Sequence, residues 1–161
     1  MDATYTYINV LMDTLQKKKD VLEKIYIATN QQKGILQSGG FDEEEFQKTL
    51  EQKELLLSEL EQLDKGFVQV YERVALVLKH SKEQYKDEIL KVQNLIQKIM
   101  DLSVNIQTME EQNKECFPIA VTEKRKQLGG IRTSSKLVTN YYKNMPNIHQ
   151  TGQSYFLDKK K

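Results

Sequence analysis

The sequence has few of the residues that catalysis, metal binding and disulfide bonding require. It contains one cysteine, Cys116, and two histidines, His80 and His149, and none of them has a spacing typical of a metal site. A single cysteine cannot form an internal disulfide, which agrees with a reducing compartment. The glycines never form a loop of the kind that binds phosphate. We therefore expect a protein that is not an enzyme and that uses no cofactor or metal.

Helix breakers and long apolar runs are also scarce. The 161 residues include two prolines, seven glycines and no tryptophan, a composition typical of long helices rather than of a sandwich or barrel. No apolar run approaches the roughly 20 residues that span a bilayer. The N-terminal charges follow the first apolar stretch, opposite to their order in a secretory signal. The sequence predicts an all-α, cytoplasmic protein without membrane insertion.

The formal net charge of +1 hides an uneven distribution of charge. Residues 1–123 carry 15 basic and 22 acidic side chains, whereas residues 124–161 carry 9 basic and 1 acidic. Two interpretations stay open: a solvated extension, or a tail that binds an acidic partner or its own body. Weak nucleic-acid binding through this basic tail is a further alternative. The acidic body and the lack of a helix-turn-helix pattern argue against it.

Apolar residues recur at alternating steps of three and four, which is the spacing of a helical seam. The first seam stops at Gly39-Gly40 and predicts a helix over residues 3–37. Residues 42–79 are expected to form the second helix, with Asp42 as its N-cap. Phe41 and Phe46 are placed as the hydrophobic staple of that helix start.

The same seam continues to residue 114, so one unbroken helix over residues 43–114 is an alternative. We favour a break near residue 80, because Ser81 with Gln84 has the pattern of a second capping box. A third helix over residues 82–115 then matches the others in length. The prediction is an elongated antiparallel bundle of three long helices.

Several positions of the seam are polar, which lowers stability but fixes how helices align. If the first hairpin folds about Gly39, Lys18 lies near Glu61. The polar positions are Lys18, Lys53, Asp64 and Glu88.

Proline and glycine divide the end of the chain. Pro118 is expected to end or kink the third helix, and Gly129-Gly130 makes a second break. We therefore predict a bundle over residues 1–117 and a basic C-terminal segment over residues 118–161. That segment contains a shorter amphipathic helix at residues 131–145, followed by a tail expected to be disordered when free.

The order of these parts resembles that of the FlgN-like (FlgN/FliT-type) flagellar export chaperones of Gram-positive flagellated bacteria. The resemblance lies in four stretches: TLEQKELLLSELEQLDKGFVQVYERV, HSKEQYKDEILKVQNLIQKIMDLSVNIQTMEEQNK, KLVTNYYKNM and SYFLDKKK. It implies a cytosolic chaperone of bacterial flagellum biogenesis, without ATPase activity. Such a chaperone binds hook-associated, filament-junction proteins before their export by the type III secretion apparatus.

The resemblance further implies that the C-terminal segment carries the contacts to cargo and to the export gate. In this chain those contacts map onto one apolar stripe: Ile131, Val138, Tyr141, Tyr142 and Met145. The alternative is that the stripe belongs to a fourth bundle helix, and Tyr155 and Phe156 receive no role. A structural coiled coil or assembly adaptor is the alternative function. A compact or weakly dimeric species favours the chaperone, and a rod-like obligate oligomer favours the adaptor.

Overall fold

The computed structural model describes residues 3–128 and Tyr142, and the regular structure in this part is helical throughout. Helix α1 spans Ala3–Gln37, α2 spans Glu43–His80 and α3 spans Lys86–Leu128. Successive helices are joined by short turns and run antiparallel, and α1 packs closely against both α2 and α3. The prediction of an all-α bundle of three long helices is confirmed.

The turn between α1 and α2 is built as the sequence predicts. Gly39 has a φ of 81°, a conformation that a β-carbon disfavours. The Asp42 carboxylate accepts a hydrogen bond from the backbone N–H of Glu45 at 3.1 Å and so caps α2. Phe41 and Phe46 form the expected staple, with ring centroids 5.4 Å apart. The residues of the turn itself therefore determine the backbone structure at this end of the bundle.

The turn between α2 and α3 differs from the prediction in detail. The chain reverses near residue 80 as expected, but the predicted capping box of Ser81 and Gln84 is wrong. Ser81 instead ends α2, because its backbone N–H donates to the carbonyl of Val77 at 2.9 Å. The helix α3 begins only at Lys86. The buried ring of Tyr85 fixes the chain just before that start.

Helix α3 is longer than predicted. The expected end at residue 115 is wrong, because the helix continues through Pro118 to Leu128. Pro118 lies on the exposed side, whereas Phe117 and Val121 beside it are buried. Burial of these apolar side chains offsets the cost of a proline inside a helix, which is about 3 kcal/mol. The proposed division at residue 117 therefore falls inside α3, and the separate C-terminal segment stays a prediction.

The main hydrophobic core runs along the line where the three helices meet. In the middle of α2, Leu56 is buried in this core, whereas Leu57 is only half-buried at its edge. The most deeply buried members of this core come from all three helices: Ile8, Leu11, Leu22, Ile25, Phe67, Val74, Val92, Ile96, Ile99 and Ile106.

A polar contact within this core aligns α1 with α2. Lys18 Nζ donates to Asp64 Oδ1 at 2.7 Å, and both side chains are largely buried. The predicted neighbour of Lys18 was Glu61, which is one helical turn away, so that pairing is wrong. The reason is that the hairpin folds about residue 41 rather than about Gly39.

A layer of buried polar side chains crosses the bundle beyond the main core, and we call it the polar layer. Lys53 Nζ contacts Glu110 Oε1 and also donates to Gln32 Oε1 at 2.9 Å. The hydroxyl of Thr29 lies 3.2 Å from the same Glu110 oxygen. Asn113 Nδ2 donates to the backbone carbonyl of Thr29 at 3.1 Å. The polar layer therefore connects α1, α2 and α3 at one level of the bundle.

Burial controls the electrostatics of this layer. The side chains of Lys53 and Glu110 are 1% and 4% exposed. Burial lowers the pKa of Lys53 from 10.5 to about 7, because desolvation disfavours the charged amine. Between these two pH values the unfolded chain binds more protons than the folded chain. The contribution of Lys53 to stability therefore rises with pH across that window and is constant below it.

Replacing Lys53 and Glu110 together should destabilise the protein much less than the two single replacements suggest. At about pH 6, below the pKa of about 7 that Lys53 has in the folded chain, Lys53→Met or Glu110→Met alone leaves one buried charge without its partner and should lower the free energy of unfolding by about 3–5 kcal/mol. The double variant should recover most of that loss. Urea denaturation of all four proteins measures this coupling. Additive losses in the double variant would contradict it.

An exposed ion pair provides the control for this cycle. Lys65 and Glu61 lie 3.5 Å apart on the surface of α2, with side chains 62% and 68% exposed. Lys65→Met should change the free energy of unfolding by less than about 0.5 kcal/mol.

Replacing glycine by alanine should have opposite effects on stability at two positions of the chain. A β-carbon at Gly66, inside α2, or at Gly39 would meet no atom within 4 Å. Gly66→Ala should raise the free energy of unfolding by about 0.5–1 kcal/mol, because alanine favours the helix. Gly39→Ala should lower it by about 1–2 kcal/mol, because the φ at that position is positive. If thermal denaturation showed that both substitutions change stability in the same direction, this expectation would be wrong.

Candidate functional site

An apolar cluster separate from the main core closes the bundle at the turn between α1 and α2. We call it the aromatic socket. It is formed by Leu36, Phe41, Phe46, Leu50, Phe117, Ala120 and Val121. All seven side chains are buried, and Phe46 is completely inaccessible. The polar layer lies between this socket and the main core.

Three phenylalanine rings from two regions of the sequence meet in the socket. The rings of Phe41 and Phe117 lie 5.9 Å apart at 79°, an edge-to-face arrangement. The rings of Phe46 and Phe117 lie 5.8 Å apart and are tilted by 31°. Both separations fall in the range where aromatic pairs attract beyond simple burial. Phe117 reaches the socket because α3 continues past Glu110 toward the α1–α2 turn.

Tyr142 fills the socket from the C-terminal part of the chain. Its ring centroid lies 5.9 Å from that of Phe117 and 6.5 Å from that of Phe46, and the residue is only 5% exposed. Burial, together with the nearby thiol of Cys116, raises the pKa of the Tyr142 phenol. The side chain therefore stays neutral and enters the socket as an aromatic ring with one polar end.

The structure places only one of the five predicted contact residues. Tyr142 lies in helical backbone and packs on α2 and α3. Ile131, Val138, Tyr141 and Met145 lie outside the described residues. The position of Tyr142 is the one that a fourth bundle helix would give it, so this alternative from the sequence has support at that residue.

Sequence reasoning identified Phe41 and Phe46 only as a helix staple and overlooked the part of the socket that α3 supplies. Phe117 and Val121 are four residues apart, which is the spacing of one helical face. The signal was therefore present. Pro118 between them predicts a break in the helix, so the sequence alone does not indicate that the two side chains share a face.

The start of α2 beside the socket is acidic. Three glutamates form the first turn of α2, next to the buried Phe46, and are exposed or half-buried: Glu43, Glu44 and Glu45. Their charges complement the positive end of the helix dipole. Over residues 3–128 no group of acidic, histidine or cysteine side chains is arranged to hold a metal ion. Glu45 pairs with Lys48 at 3.2 Å, and the last turn of α3 at the same end of the bundle carries Arg125 and Lys126, so charges of both signs surround the socket.

None of the three described helices is long and apolar enough to cross a membrane.

Comparison with known protein families decides the identity of this bundle. The chain matches the FlgN protein family over residues 1–141, which include all three helices and most of the segment leading to Tyr142. The chain belongs to the FlgN family. The resemblance found in the sequence is therefore confirmed. No curated protein and no solved structure matches the chain significantly.

Membership of the FlgN family determines the general role. FlgN-family proteins are cytoplasmic chaperones of flagellar export and are not enzymes. The predictions of a non-enzymatic, cytoplasmic helical bundle are confirmed by this membership.

Two apolar residues of α3 test whether the socket is a packed core. Phe117→Ala should lower the free energy of unfolding by about 3–5 kcal/mol, because it removes a ring that is 6% exposed and touches two others. Ile119→Ala should change it by less than about 1 kcal/mol, because Ile119 is 62% exposed two residues away. Equal effects in chemical denaturation would show that the socket is not specifically packed.

Proposed function

We propose that this FlgN-family protein binds hook-associated, filament-junction proteins in the cytoplasm and keeps them competent for flagellar type III export. The observation that carries this proposal is the family match over residues 1–141. Members of the FlgN family bind hook-associated proteins. The identity of the particular cargo, and contact with the export gate, belong to the proposal.

The proposed contact surface is the apolar stripe of residues 131–145. Its members are Ile131, Val138, Tyr141, Tyr142 and Met145, and an amphipathic helix of this kind can lie in an apolar groove of a partner. Of these five residues the structure describes Tyr142, whose ring is buried in the aromatic socket of its own bundle, so the fourth-helix alternative has its support at this residue.

The helix packing favours the chaperone over a structural coiled coil or assembly adaptor. In the described part of the chain, one continuous core buries apolar side chains of α1, α2 and α3 against one another, although single apolar side chains such as Leu55 and Leu76 stay exposed. A bundle that is complete within one chain needs no partner to bury its seam. We therefore propose a compact monomer or weak homodimer, and a mass measurement in solution distinguishes it from an obligate rod-like oligomer.

The contact surface can be tested by removing two of its apolar side chains. Val138→Ser combined with Tyr141→Ser should weaken cargo binding at least tenfold, because a few apolar side chains dominate such interfaces. Helicity and melting temperature should stay unchanged. Calorimetry with a purified hook-associated protein from the same bacterium measures the first quantity, and circular dichroism measures the others.

The control is Ile119→Ser, an equally drastic change at an exposed site of α3 that is outside the stripe. It should leave cargo binding unchanged. Intact binding by the double variant, or a melting temperature that falls together with binding, would remove the case for residues 131–145.

Nucleic-acid binding through the basic tail predicts a much steeper loss of affinity with salt than an apolar contact does.

A further inference from the structure

The last part of α3 is helical although its own sequence does not favour a helix. Residues 118–122 read PIAVT, a run of one proline and three β-branched side chains around an alanine, and proline and β-branched residues are poor helix formers. Ten residues follow Pro118 before α3 ends at Leu128, and helices that short are marginal in water without packing. Contacts with the rest of the bundle must therefore keep this stretch helical.

The contacts that could do so lie close to Pro118. Phe117, Ala120 and Val121 are buried in the aromatic socket. Farther along the helix, the side chains of residues 122–127 are exposed or half-buried. Three neighbouring buried side chains therefore attach the described end of α3 to the bundle.

Pro118 weakens α3 just before most of this attachment. Proline has no N–H, so the backbone carbonyl of Lys114 receives no helical hydrogen bond from position 118. Immediately before that turn, Asn113 Nδ2 donates to the backbone carbonyl of Thr29 at 3.1 Å, and the polar layer holds α3 to both other helices. The weak turn thus lies between a firmly held part of α3 and an end held by three side chains.

We propose that residues 118–128 form a hinged arm, which the socket keeps in line with the rest of α3. When the packing of the socket weakens, the arm bends at Pro118 and loses its helical structure, while residues 86–113 stay in the bundle. The arm carries the basic last turn of α3, with Arg125 and Lys126, at the end of the bundle where three glutamates begin α2. Its position therefore changes the distribution of charge around the socket.

Hydrogen exchange in the free full-length protein measures the hinge without any substitution. Protection of the backbone amides should drop sharply at Pro118, and residues 120–127 should exchange at least a hundredfold faster than residues 106–113. Ordinary fraying from the helix end would instead give a gradual decline of protection. A gradual decline, or equal protection on the two sides of Pro118, would overturn the proposal.

Substitutions at two positions of the arm should change its helicity in opposite directions. Val121→Ser weakens the socket contact, so the backbone NMR chemical shifts of residues 119–127 should move toward coil values while those of residues 86–113 stay helical. Adding Pro118→Ala to Val121→Ser should restore helical shifts, because alanine restores the hydrogen bond to Lys114 and removes the clash of the proline ring. The matched control is Ile119→Ser, a similar change at an exposed position of the same turn, which should leave the arm helical.

Each outcome of these substitutions decides for or against the hinge. An arm that stays helical in Val121→Ser would show that the socket does not hold it. Loss of helical shifts in residues 86–113 together with the arm would show that α3 unfolds as one unit, and either result overturns the proposal. If Val121→Ser does not fold, the milder Val121→Ala takes its place and is judged by the same two results. A double variant whose arm stays in the coil state would exclude Pro118 as the hinge.

Discussion

The buried contact between Lys53 and Glu110 constrains the packing at the end of the bundle that carries the α1–α2 turn. A charge with no water around it needs its partner, and a slip of one helical turn would separate the two at a cost of several kcal/mol. Phe46 lies seven residues before Lys53, and Phe117 lies seven residues after Glu110. Because seven residues are two helical turns, aligning the charged pair also brings the two rings together.

Features that depend on a few neighbouring residues could be predicted from the sequence. The cap at Asp42, the staple of Phe41 and Phe46, and the left-handed Gly39 each follow from local chemistry, and the structure has all three. The second turn was harder, since serine is suited to either end of a helix. At Ser81 the backbone closes α2 instead of opening α3.

Features that depend on distant residues could be predicted only in part. The helical repeat showed that Lys18 would face α2, but its partner depends on how many residues the hairpin turn uses. A shift of that centre by one and a half residues moves the partner three positions, from Glu61 to Asp64. For the candidate site, the sequence indicated Tyr142 as a contact residue but not the socket that holds it. The burial of Phe117 and Val121 beside Pro118 depends on how the bundle packs and not on the local sequence.

The polar layer also limits how far a local opening of the socket can extend into the rest of the bundle. It separates the socket from the main core, so the socket's apolar contacts form a cluster of their own. Clusters with few apolar contacts open at lower free energy than the core does. The charged pair holds α2 to α3 on the core side of the socket, so opening of the socket should leave the main core of the bundle packed.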